Sequence, residues 1–118
     1  MSLFKDHIKP RLVAGAVAFA IPNGGHRAKR VAIALKEEGG EAGVPDIFVL
    51  YRRQVYFLEM KKLRGGKVSK DQRAMMARLT AAGATCAVAK GLEQAISQLE
   101  AWRLLEVAVA TAEQEMAA

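Results

Sequence analysis

The chain has 118 residues, enough for a single domain with one core spanning 1–118. Hydrophobic residues at 52% and charged residues at 25% exclude a disordered chain. A formal net charge of +6 favours an anionic partner, a nucleic acid or an anionic membrane surface.

Residues 3–9 are expected to form a short helix that Pro10 ends or kinks. The longest apolar run, residues 12–21, is about half of the ~20 residues a membrane-spanning helix needs, so no span is expected. The run has the outline of a signal peptide, with basic residues before it and Ala18-Phe19-Ala20 as a cleavage-like site. Against that, the charge persists to Arg11, and the run leads into a motif that needs a strand before it. Residues 16–21 are read as a buried strand and "PNGG" at 22–25 as a turn. Residues 26–38 read as a helix with Ala28, Val31, Ala32 and Leu35 on one face, ended by Gly39 and Gly40.

Two strands follow, at about 46–51 and 55–61, and "RGGK" at 64–67 is a basic loop. Ser69 and Gln72 have capping-box spacing and open a helix that Gly83 ends. Gln72, Met75, Met76 and Leu79 form its inward stripe. Residues 85–89 form a short apolar strand. It contains Cys86, the only cysteine, read as a core thiol. A chain without disulfides fits a reducing, cytoplasmic setting. A last helix is expected over about 92–117, with Leu92, Ala95, Ile96, Leu99 and Trp102 on one face. Its later apolar residues, Leu104, Leu105, Val107 and Val109, either pack on their own domain or form a dimer contact. The order α-β-α-β-β-α-β-α predicts an α/β fold: a mixed central β-sheet with a core β-hairpin, flanked by helices on both faces.

The charges inside "GVPDIFVLYRRQVYFLEMKK" do not belong in plain core strands. Alternation puts Val55, Phe57, Glu59 and Lys61 on one face and Tyr56, Leu58 and Met60 on the other. If Arg52 and Arg53 make a two-residue turn, Tyr51 pairs with Gln54 and Asp46 faces Glu59. Arg-Arg is not a favoured turn pair, and a slip of one residue would move Asp46 to the other face. Two facing carboxylates need a cation. Lys61 supplies one; a divalent metal such as Mg²⁺ would supply a stronger one and could polarise a phosphoryl group. Lys61 could then orient a water or stabilise developing charge. The plainer reading of Glu59 and Lys61 is a solvated pair at a strand end.

"NGGHR" offers backbone N–H groups at a helix start, an anion site to which Arg27 and His26 could add contacts. The plainer reading is a turn. Lys62, Arg64 and Lys67 lie just beyond the acids and could follow a duplex backbone. No aromatic and basic residues interleave as a single-strand stacking platform would require.

"GVPD", the hairpin and "LEMKK" resemble the PD-(D/E)xK nuclease motif. "IPNGGHR", "ALKEEGGEAGVPDIFVL", "FLEMKK" and "VSKDQRAMMARLTAAGA" together resemble the VRR-Nuc branch, especially its small stand-alone phage forms, over about residues 19–96. The resemblance implies a restriction-endonuclease-like fold and a Mg²⁺-dependent endonuclease acting on structured DNA, with Mn²⁺ as a substitute. Stand-alone members are similar to homodimeric resolvases of four-way (Holliday) junctions. By position, it implies that Asp46, Glu59 and Met60 hold metal, Lys61 serves the attacking water and Gln72 orients groups at the site. It implies DNA contacts from Asn23, Gly24, Gly25, His26, Arg27, Lys62, Arg64 and Lys67. The family's further acid in the first helix has no clear counterpart, since Asp6 is the only acid before Glu37. A non-catalytic DNA-binding module with a decayed metal site is therefore the competing reading.

Overall fold

The computed structural model describes residues 3–22, 33–34 and 37–107. A π-helical turn, Phe4–Ile8, passes directly into a 3₁₀ turn, Lys9–Arg11. Pro10 sits at the start of that second turn, where its missing N–H breaks no bond, and the helical segment ends one residue later at Arg11. The strands are β1 (Val17–Ala20), β2 (Ile47–Tyr51), β3 (Gln54–Lys61) and β4 (Thr85–Lys90). Two longer helices follow β3 and β4: α1 (Lys70–Ala81) and α2 (Gly91–Ala101). The sheet runs β1-β2-β3-β4, antiparallel except for the parallel β3–β4 pair. The α/β fold with a mixed sheet and a core hairpin is thus present.

Alternation divides the sheet cleanly. One face carries Ile47, Val49, Leu58 and Ala89, and it packs against Ile8, Ala95, Leu99 and Leu104 as the core. Each large side chain buried here contributes about 1.5–3 kcal/mol. Trp102 closes this side against Tyr56, with ring centroids 5.1 Å apart. The other face carries Glu59 and lies under α1, whose Met75 is buried. Helices therefore cover both faces.

The hairpin turns at Arg52 and Arg53, with Tyr51 paired to Gln54. Both arginines take positive φ, 49° and 67°, as a type I′ turn requires. Left-handed backbone costs a non-glycine residue roughly 1–2 kcal/mol. The pairing of two apolar strands outweighs that cost.

The C-terminal helix is shorter than its sequence predicts. It stops at Ala101, because Arg103 adopts φ 62° and Leu104 N–H bonds back to the Leu99 carbonyl at 2.9 Å. The chain then lies along the N-terminal segment: Leu105 bridges Leu12, and Glu106 N–H donates to the Arg11 carbonyl. The Arg11 side chain reinforces the join through Glu100 at 2.7 Å. Leu104 and Leu105 are buried in their own domain, so they do not offer a dimer contact. Val107 is exposed, and Val109 lies outside the described residues. Most of the helix expected over 26–38 also lies outside them; Ile33, Ala34 and Glu37 are helical.

Candidate active site

The hairpin register carries Asp46 to its place. Ile47 pairs with Leu58, so the next residue back, Asp46, stands across from Glu59. Pro45 is fully buried and has no N–H, and the chain leaves the sheet there. β3 continues beyond β2, and Asp46 Oδ2 accepts from Met60 N–H at 2.8 Å where the ladder would otherwise lack an acceptor. The Asp46 carbonyl accepts from Ile21 N–H at 2.6 Å. Backbone bonding on both sides thus fixes this acid.

Glu59 is 1% exposed. A carboxylate so buried is costly unless donors replace its water. Gln72 Nε2 donates to Oε2 at 2.6 Å, and Lys61 Nζ lies 3.5 Å from the same oxygen. Oε1 has no donor among the described residues. Burial first, then the charge of Asp46 and a direct contact with its carboxyl, push the Glu59 pKa up from 4.5 to about 7; Lys61 opposes them. Glu59 is therefore not a solvated strand-end group. It is a buried acid whose ionised form has too few positive partners.

Gln72 has two roles at once. Its Oε1 accepts from Ser69 N–H at 2.9 Å, while Ser69 Oγ accepts from Gln72 N–H at 3.1 Å. This reciprocal cap uses the amide oxygen, which leaves the amide nitrogen for Glu59. The capping box and the contact to the acid, alternatives in the sequence, are one arrangement.

Gly43 lets the two arms meet. It has φ +81°, and a β-carbon there would collide with the Asp71 carbonyl and come within 2.8 Å of the Gln72 nitrogen. Only a residue without a side chain lets the loop before Asp46 lie against the first turn of α1. Gly43→Ala is expected to cost about 1–3 kcal/mol in urea unfolding. It is also expected to slow any cleavage more than tenfold, because Gln72 moves off Glu59. Wild-type stability and rate in this variant would refute the packing argument.

The other candidates divide by place. Met60 turns its side chain to the core, so only its backbone carbonyl could serve a hard cation. Lys62, Arg64 and Lys67 are exposed at the end of β3 and in the loop after it. Asn23, Gly24, Gly25, His26 and Arg27 lie outside the described residues. Asp6 is exposed in the first helical turn, and among the described residues no third acid, histidine or cysteine joins Asp46 and Glu59.

The sequence alone missed Lys90. Parallel pairing sets it beside Lys61, and no local spacing signals the register of two strands separated by a helix. Also missed was the aromatic row Phe19–Phe48–Phe57, with ring centroids 4.8 and 5.5 Å apart, assembled from three separate strands.

The sequence model of the VRR-NUC domain matches residues 14–93, a span that includes Gly43, Asp46, Glu59, Lys61 and Gln72. The chain belongs to the VRR-NUC domain family. This is a nuclease-type domain, which implies DNA as its substrate. Among solved structures, a VRR_NUC domain protein is similar with a TM-score of 0.62 and 24% identity, over 75% of this chain and 70% of that one. That likeness bears on the fold. No curated protein matches the chain significantly. Among the described residues, no helix of this VRR-NUC domain is long and apolar enough to cross a membrane.

Proposed function

We propose that this VRR-NUC domain is a divalent-metal-dependent endodeoxyribonuclease that hydrolyses phosphodiester bonds, with branched DNA, four-way junctions first, as its preferred substrate. The observation that carries this reading is the buried Glu59 carboxyl, opposite a second acid and with one oxygen lacking a donor. Such a pair is unfavourable alone and favourable around a hard cation.

Asp46, Glu59 and the Met60 carbonyl would hold Mg²⁺ or Mn²⁺. When bound, the cation would supply Lewis acidity and a more acidic water. The chain's own residues do the rest. Gln72 fixes Oε2 of Glu59, while Oε1 has no donor among the described residues. The Lys61 ammonium, 3.5 Å from Glu59, can donate to the attacking water and to charge developing on the phosphoryl oxygens. Lys62, Arg64 and Lys67 would hold neighbouring phosphates and set the register of the strand without reading bases.

A DNA-binding module without catalysis is the second reading, favoured by the lack of a third acid among the described residues. Labelled four-way junction, duplex and single strand, incubated with Mg²⁺ or Mn²⁺, separate the two. Metal-dependent products are expected, most abundant from the junction. Binding with no products under any metal would leave the module reading.

A further inference from the structure

We propose that Lys90 is a second cationic contact of this site and binds a DNA phosphate beside the one attacked; this rests on the nuclease reading above. In the parallel β3–β4 pair, Lys90 is the direct partner of Lys61. Neighbouring strands are about 4.8 Å apart, and register partners project from the same face. Burial agrees: Ala89 is in the core at 1% exposure, and Lys90 alternates away from it and is exposed. Lys90 thus stands on the Glu59 face, one strand across and two residues along from that acid.

Two ammonium groups side by side repel. Lys61 is compensated by Glu59 at 3.5 Å. Lys90 has no ion-pair partner among the described residues. Its nearest acid in sequence, Glu93, points from the exposed first turn of α2 and is not paired with it. The position is nonetheless held: Gln94 Oε1 accepts from Lys90 N–H at 2.8 Å, fixing the backbone where strand becomes helix. An exposed, uncompensated cation on a held backbone beside Lys61 suits a phosphodiester oxygen. A phosphate held by Lys90 screens the repulsion between the two lysines. It also leaves Lys61 near Glu59 for the chemistry.

The test measures DNA binding in EDTA across a salt series with the full chain, then cleavage with Mg²⁺. Lys90→Gln should weaken junction and duplex binding about fivefold to tenfold. It should also lower the slope of log K against log salt by about one phosphate's share, ~0.9. In cleavage, KM should rise by a similar factor with kcat within twofold, and Lys90→Arg should restore both. Lys9→Gln, in the N-terminal turns on the other side of the sheet, should leave the slope unchanged. Unchanged affinity and slope in Lys90→Gln, or an equal loss in Lys90→Arg, overturns the proposal. If wild type binds but never cuts, the nuclease reading fails while the slope still decides Lys90. If wild type binds no DNA, both fall.

Discussion

Glu59→Gln is expected to reduce metal-dependent cleavage by on the order of a thousandfold, the upper range for losing one charge-stabilising group at a reacting centre. The substitution keeps the shape and the partner Gln72, but it removes the negative charge that a hard cation requires. Of the two carboxylates only Asp46 would then face the metal, with its Oδ2 already committed to Met60 N–H. DNA binding should survive, because the exposed basic residues are untouched. The measurement is single-turnover cleavage of labelled junction in saturating Mg²⁺, beside an affinity measurement in EDTA. A variant that cuts at the wild-type rate would remove Glu59 from the chemistry and leave its burial unexplained.

Metal-free stability should fall as pH rises between about 4.5 and 7. The folded state holds the Glu59 proton up to about 7, whereas an ordinary carboxyl releases it near 4.5. Through that window the folded state binds more protons than the unfolded state, so stability is full below it and lost across it. The size of the effect is roughly 3 kcal/mol for this nearly solvent-free group, at 1.36 kcal/mol per unit. Glu59→Gln should flatten the profile and, at pH 8 in EDTA, be more stable than wild type. Adding Mg²⁺ at pH 8 should restore wild type by about 2.7 kcal/mol at a hundredfold excess over Kd, and should leave the variant unchanged. Urea unfolding at several pH values reads all of this. A wild-type profile that is flat from pH 4.5 to 8 would contradict the strained carboxyl.

These expectations depend on contacts that the sequence disclosed unevenly. The hairpin register was legible only on condition that Arg52 and Arg53 form a two-residue turn, which they do. On that condition the sequence places Asp46 opposite Glu59. The arginines at the turn gave no support, since strand pairing, not turn preference, holds them in left-handed backbone. The end of α2 was not legible for the same reason: Arg103 does what glycine usually does, and the bonds that fix it come from Leu99 and the N-terminal segment. The constraint on Gly43 was not legible, since it exists only after α1 docks. Local signals thus carried the hairpin and the helix cap, while contacts between distant segments carried the rest.

The double engagement of Gln72 has one more consequence. Its amide oxygen is the acceptor for Ser69 N–H, and its amide nitrogen holds Glu59. Whatever pulls Glu59 away from Gln72 also loosens the start of α1. The hydrogen-exchange rate of one backbone amide, that of Ser69, therefore becomes a gauge of a carboxylate on another element. It slows when Glu59 holds Gln72 firmly and quickens when the acid is drawn elsewhere. Cleavage chemistry could then be followed from outside the site, through a proton that takes no part in it.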